Sequence, residues 1–394
     1  MIALCGGDIV LPDRVLRGGT IMIDRGRIAA IEPRRVDAGA GRTIVDAANH
    51  TIVPGFVDVH VHGIEGVDVL DGPDAVDEVA QRLPKYGVTA FCPTSVACAP
   101  ARLTMLLDSV ARALPAAARA SARVLPAHLE SNFINPEWNG AQPMHCLRTY
   151  KPQGRRPEGD FAGHEILQAI VSRRSSVGIV TLAPEMPGGL ELVRDLVVAG
   201  HRVSIGHSGA SYEIAHDAIA AGVRHATHLF NRMSSITSRS PGVVGAVLES
   251  DAVAAEIICD GHHVHPSLIG MAIRVKSASR MMAITDATAA AGLPKGTRTR
   301  LGDQTIIAGE KTAVLEDGTL AGSILTMDAA FRMLAGRIGL SLPDAARICA
   351  TTPAAQLMRS DIGSIAEGKF ADLAILDGDF RVKQVFIAGE PVNQ

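Results

Sequence analysis

A chain of 394 residues with 47% hydrophobic side chains is long enough to bury one large core and a second, smaller one. A formal net charge of -3 excludes a basic surface built for nucleic acid or for an anionic membrane. The six cysteines form no CxxC pair and read as reduced thiols. The N-terminus lacks the basic start and apolar core of a signal peptide, and no apolar run reaches spanning length. The expectation is a cytoplasmic protein.

In chain order, the first fifty residues read as short strands and tight turns, with "GGTIMIDRGRIAAIEP" as a hairpin turning at "DRG". The last segment, "GSIAEGKFADLAILDGDFRVKQVFIAGEPV", reads the same way. A small β-sandwich domain formed discontinuously from 1–54 and 351–394 accounts for both ends. Between them, over 55–350, apolar runs alternate with helical stretches such as "DAVDEVAQRLPKYG" and "GGLELVRDLVVAG". The expected strands are 55–62, 87–95, 123–131, 176–185, 201–208, 224–231, 252–263 and 281–288. Eight strands with intervening helices predict a (β/α)8 TIM-type barrel. A doubly wound sheet would have a Gly-rich phosphate turn after its first strand, and none is present. The low-complexity content is confined to an alanine-rich patch near 113–122.

In "GFVDVHVHGIEGVD" period two puts Phe56, Asp58, His60 and His62 on one strand face. Two imidazoles side by side suit neither core nor water, and Gly63 then ends the strand. The other polar residues repeat the placement. Glu130 closes strand three, His207 closes strand five and His228 sits near the end of strand six. Asp260 and His263 follow strand seven, and Asp286 closes strand eight. In a barrel these ends meet at one mouth, and imidazoles and carboxylates converging there make a divalent metal site. Singly, each has a blander reading as a turn, cap or hydrogen-bonded core residue; their shared position argues against it. His225, by alternation on the face opposite His228, reads as structural, as do His201 and His216.

With these residues in place, the chain resembles the amidohydrolase superfamily and, within it, the N-acetylglucosamine-6-phosphate deacetylases. The segments that carry the likeness are "PGFVDVHVHG", "HLESNFINPEWNGA", "TLAPE", "IGHSGA", "ATHLFNRMSSITSRSPGVVGAVLE", "DGHHVHP", "ITDATAAAG" and "LAGSILTMDAAF". The resemblance implies that Glu130, His207 and His228 hold a metal and that His60 and His62 complete a second site. It implies zinc first, with Fe, Mn or Co as alternatives, and one or two ions per subunit. Asp286 would be the general base that takes a proton from metal-bound water and returns it to the leaving amine. Gln142, Asn231, Arg232, Gly322 and Ser323 would lie against the substrate, and His263 and Arg239 would bind its phosphate. Arg239 would reach across from a neighbouring subunit, implying a homodimer. Strand four has no lysine to bridge two metals, which argues against the branches that use a carbamylated one.

The substrate end departs from the family pattern. Ser131-Asn132 stands in place of Gly-Pro, Gln142 in place of a histidine, Arg232 in place of a small residue, Ser240 in place of Glu, and His262 in place of an apolar residue. A glutamine amide still donates to a developing oxyanion but carries no charge. Arg232 would bind a second anionic group or pair with a nearby carboxylate. The expected reaction is deacetylation of N-acetylglucosamine 6-phosphate. The alternatives are another N-acyl amino sugar or related acylated amine and, in a different class, a barrel scaffold without catalysis.

Overall fold

The computed structural model describes residues 1–36, 43–115, 120–151 and 160–392; part of the alanine-rich patch lies outside them. Both ends of the chain meet in one eight-stranded sheet. Its spatial order is Glu390–Val392, Val382–Ile387, Leu373–Leu376, Thr51–Pro54, Ile2–Val10, Val15–Asp24 and Arg27–Glu32. Thr43–Asp46 pairs with the first half of Ile2–Val10, and Thr51–Pro54 with the second. The hairpin turns at Arg25 and Gly26, both at positive φ (48° and 79°), the two-residue geometry that matches strand twist. Leu4, Ile9, Ile21, Ile28, Ile52, Leu373 and Phe386 close a core of their own under this sheet.

The middle of the chain is the barrel. Its strands one to eight are Phe56–Val61, Val88–Ser95, Ala127–Glu130, Val177–Leu182, Arg202–Ile205, His225–Ala226, Ala254–Ile258 and Met281–Ile284, each parallel to the next. Closure comes at the mouth, where Val61 bridges Ala287 and the Asp286 N–H donates to the His60 carbonyl at 2.9 Å. All of Phe56–Val61 is buried, because one face fills the barrel and the other meets helices. The helix Ala75–Arg82 runs into a tight turn, Leu83–Tyr86, that ends at Gly87 with φ 81°, a conformation glycine adopts without strain.

Three details differ from the sequence expectation. Strand three is broken: Arg123–Val124 pairs separately with strand two, and Pro126, lacking an N–H, interrupts the ladder. Strand six is only His225–Ala226. After strand eight the chain builds an antiparallel four-stranded sheet, Arg298–Leu301, Gln304–Ala308, Thr312–Leu315 and Leu320–Ser323, which the barrel reading passed over. Its signals were "LGDQ" and "LEDGT", turn residues between short alternating runs. Gly63 also has a different role from the one expected. It starts a small hairpin with Val67–Asp68, and a Cβ there would lie 2.2 Å from the Val67 carbonyl oxygen.

Candidate active site at the barrel mouth

The predicted ligands do converge. Glu130 Oε1 lies 2.7 Å from His207 Nε2 and 2.8 Å from His228 Nε2, and those two nitrogens are 3.0 Å apart. Beside them, His60 Nε2 is 3.3 Å from His62 Nε2, and Asp286 Oδ1 is 3.4 Å and 3.2 Å from the two. Glu130 joins the groups, 3.9 Å from His60 and 3.6 Å from His62. All six side chains are buried.

Backbone conformation aims several of them. His207, His228 and Asp286 have φ of 48°, 32° and 50°, a region L-residues rarely occupy. Each lies two residues past the end of its strand or its strand's last ladder pair, so the turn carries the side chain toward the barrel axis. The turn at His228 sends its ring to Glu130, whereas the His225 ring bonds Glu256. Both reach Glu256, His225 through its ring and His228 through its backbone N–H.

The donor set fits a divalent cation. His62 Nδ1 donates to the Thr94 carbonyl at 3.0 Å, and His207 Nδ1 to the Trp138 carbonyl at 2.8 Å. Those bonds place the proton on Nδ1 and leave each Nε2 with a lone pair pointing into the cluster. Lone pairs and carboxylate oxygens crowded at this spacing repel unless a cation lies among them. The spacings approach the ~3.3 Å edge of a tetrahedron of ~2 Å metal–ligand bonds. Electrostatics agree. Burial alone would push His60 down, but Glu256, Asp286 and Glu130 outweigh it and lift the imidazole to about 10. Burial would also raise Glu130, yet His207, His228 and His60 hold it well below the usual carboxylate range. Asp286 is held low against burial by His60 and His62. A cage negative enough to keep a proton on a buried imidazole is one a divalent cation would enter in that proton's place.

Glu256, in strand seven, is the residue sequence reasoning missed. Fully buried, it accepts from His60 Nδ1 at 2.9 Å, from His225 Nε2 at 2.7 Å and from the His228 N–H at 3.2 Å. The signal was a lone glutamate in the otherwise apolar "AVAAEIIC", which a buried strand does not carry without a partner. His128, beneath the cluster, is pushed to about 3 by burial and bonds to the Val59 carbonyl and Thr181 as a neutral ring.

A narrow cleft of about 90 Å³ opens onto the cluster. Gln142, Asn231, Arg232, His263 and Gly322 line it with His62, Glu130, His207, His228 and Asp286. Gln142 is oriented: its amide oxygen accepts from the Ala97 N–H at 2.7 Å and its amide nitrogen donates to Glu130. His263 bonds through Nδ1 to Asp260 at 2.6 Å; burial opposes its charge, but that carboxylate outweighs burial and raises it toward imidazolium. Arg232 makes no ion pair among the described residues and lies over Gly140, where a Cβ would come within 3.0 Å of its Nε.

Other expected contacts are not brought to the cleft. Ser323 is fully buried, its hydroxyl donating to the Thr285 carbonyl at 2.5 Å. It pins the inserted sheet to strand eight. Arg239 stands on an exposed loop outside the cleft of its own chain. Among the departures, Ser131 donates to the Thr181 carbonyl, and Asn132 donates to the carbonyls of Cys98 and Cys146 at 2.8 and 2.7 Å. Both are buried pins between loops and do not line the cleft. Ser240 and His262 are exposed and outside the cleft.

Comparison with known proteins gives the same direction. The profile of the Amidohydrolase family matches residues 51–392. The chain is 35% identical over 379 residues to the N-acetylglucosamine-6-phosphate deacetylase of Bacillus subtilis (strain 168), covering 95% of this chain and 92% of that protein. It is 33% identical over 372 residues to the N-acetylgalactosamine-6-phosphate deacetylase of Escherichia coli O157:H7, covering 94% and 93%. Among solved structures, it resembles the N-acetyl-D-glucosamine-6-phosphate deacetylase of Mycobacterium smegmatis in complex with N-acetyl-D-glucosamine-6-phosphate. There the TM-score is 0.89 at 31% identity, covering 100% of this chain and 99% of that one.

Proposed function

The chain belongs to the amidohydrolase family, and on that footing we propose that it deacetylates N-acetylglucosamine 6-phosphate to glucosamine 6-phosphate and acetate. The observation that carries this reading is the junction of two buried donor groups, Glu130/His207/His228 and His60/His62/Asp286, at one cleft. Glu130, His207 and His228 would hold a divalent metal, zinc first, and His60 and His62 a second ion where both are bound. Such a metal supplies polarisation of the amide carbonyl and lowers the pKa of water toward ~7.

The chain's own groups do the rest. Asp286, ionised and buried beside His60 and His62, accepts the proton that the attacking water sheds. It then delivers that proton to the amine nitrogen, without which the amine leaves poorly. The Gln142 amide, held by Ala97, is positioned to donate to the oxygen of the acyl group. The raised pKa of His263 suits a phosphate, and Arg232, with no ion pair among the described residues, adds a second cation to the same cleft. Asn231 and Gly322 would orient the sugar. In a homodimer, Arg239 would reach the neighbouring cleft. No helix among the described residues is long and apolar enough to cross a membrane, and six buried free cysteines suit the cytoplasm.

A second reading, another N-acyl amino sugar, rests on Gln142 and Arg232 and on the likeness to the galactosamine enzyme. Acetate release by the zinc-loaded protein decides between them. The glucosamine and galactosamine 6-phosphates, each N-acetylated, are compared with the unphosphorylated sugars. Fast turnover of the phosphorylated glucosamine compound alone, abolished by chelation and restored by zinc, is expected. Equal indifference to all four would refute the reading.

A further inference from the structure

At the end of the barrel opposite the mouth, where strands three to six begin, lies a cavity of about 810 Å³. It is far roomier than the catalytic cleft. Arg174, His201, Arg202 and Arg224 line it, and among the described residues its lining contains no aspartate or glutamate. None of the three arginines forms an ion pair among the described residues. Arg202 donates to the Gln356 amide oxygen at 2.7 Å. Arg224 donates to the carbonyls of Ile219 and Val223, each at 2.8 Å. Arg174 is exposed, with no side-chain bond to another described residue.

The register places two of these charges together. Arg202 opens strand five, and the Arg224 N–H donates to the Val203 carbonyl at 3.2 Å, so the two sit at adjacent strand starts. Burial lowers the Arg202 pKa, and the Arg224 charge lowers it further. His201 is 6% exposed; its Nδ1 contacts the Val177 carbonyl at 3.3 Å, and its Nε2 has no partner. Burial and the Arg174 charge both keep that ring neutral.

A blander account is that the arginines only cap helix ends. Helices Gly163–Ser172, Gly189–Val198 and Tyr212–Ala221 do finish at this face. Each helix end is equivalent to about -0.5 of a charge, so three ends offset only about half of three guanidinium charges. Positive charge is left over, in a cavity whose rim also offers exposed Val171, Val197 and Met358 as apolar wall.

We propose that this cavity binds a small organic dianion, a phosphate monoester or a dicarboxylate, through Arg174, Arg202 and Arg224, apart from the site of chemistry. The test is calorimetric titration of the metal-loaded full chain with glycerol 3-phosphate and, separately, succinate, at low ionic strength. Arg174→Gln, an Arg202→Gln/Arg224→Gln double variant and His263→Asn are measured beside the wild type. A saturable event separate from any phosphate binding at the catalytic cleft is expected, with the succinate and phosphate arms assigning the head group. His263→Asn should retain it, Arg174→Gln should weaken it about tenfold, the loss of one charge-assisted bond, and the double variant should abolish it. Circular dichroism and thermal melting show independently of any activity that the variants are folded. Arg174, exposed and unbonded, cannot be lost to misfolding and decides the matter if the double variant unfolds. No saturable binding of either probe would overturn the proposal. So would binding lost in His263→Asn and untouched by Arg174→Gln.

Discussion

His207, His228 and Asp286 hold positive φ without being glycine, a strained conformation at the points where these side chains leave the strand direction and face the axis. Asp286 is the group on which proton transfer depends in the proposed reaction. Asp286→Asn removes the acceptor but leaves Glu130, His207 and His228 untouched. Metal content measured by plasma emission should persist while turnover drops by about 10²–10⁴; a fully active variant would refute the role. Glu256 acts one step back, through His60, His225 and the His228 backbone. Glu256→Gln keeps the shape and removes the charge that orients His60. Metal affinity, read by competition with a chromogenic chelator, should weaken about 10–100-fold. Unchanged affinity would make Glu256 a core residue only.

At the level of elements, the mouth is assembled from strand ends plus two additions, the Gly63–Asp68 hairpin and the inserted antiparallel sheet. Asp68 clamps them: its carboxylate accepts from the Leu70 N–H at 2.8 Å and from Gly302 of the sheet at 3.0 Å. Burial outweighs these bonds and lifts Asp68 from 3.8 to about 6. The folded chain therefore keeps this proton to higher pH than the unfolded chain does. Stability contributed at low pH declines as pH rises from about 4 to about 6 and then levels off. At 1.36 kcal/mol per pKa unit the full change is ~3 kcal/mol. In Asp68→Asn this dependence vanishes. Urea unfolding of the metal-loaded wild type and variant should show stability profiles that diverge between pH 4 and 6 and run parallel above; profiles parallel throughout would refute the assignment.

On the scale of the whole molecule, Arg239 is exposed and does not line its own cleft, so its expected service to a neighbouring subunit needs a direct test. Mixing subunits tests that. Arg239→Ala and Asp286→Asn proteins should each be nearly inactive alone. If Arg239 serves the partner's cleft, each mixed dimer has one intact site, and an equimolar mixture regains about a quarter of wild-type turnover after exchange. No recovery, with mixed dimers verified by native mass spectrometry, would place Arg239 outside the site. The proposed dianion cavity at the other end of the barrel is distinct from this interface question, since Arg239 and the arginines of that cavity belong to opposite faces.

The one-dimensional pattern was enough for the barrel, for the β character of both ends and for the gathering of polar side chains at one mouth, because period-two strands and their chain order dictate which ends meet. His60, His62, Glu130, His207, His228 and Asp286 were legible for that reason. What needed three dimensions were the contacts between residues far apart in the chain. Glu256 lies 196 positions from His60 and carries no local motif. The departures Ser131 and Asn132, and Ser323, which the resemblance placed against the substrate, have polar side-chain atoms bonded to carbonyls of other loops. The left-handed φ of His228 turns its ring toward Glu130, a change of course that simple alternation does not describe. Chain order thus determined which elements form and where their ends gather. Side-chain bonding across the barrel decided which polar residues remain free to meet a ligand, since a buried polar atom must be satisfied by whatever the fold brings within reach.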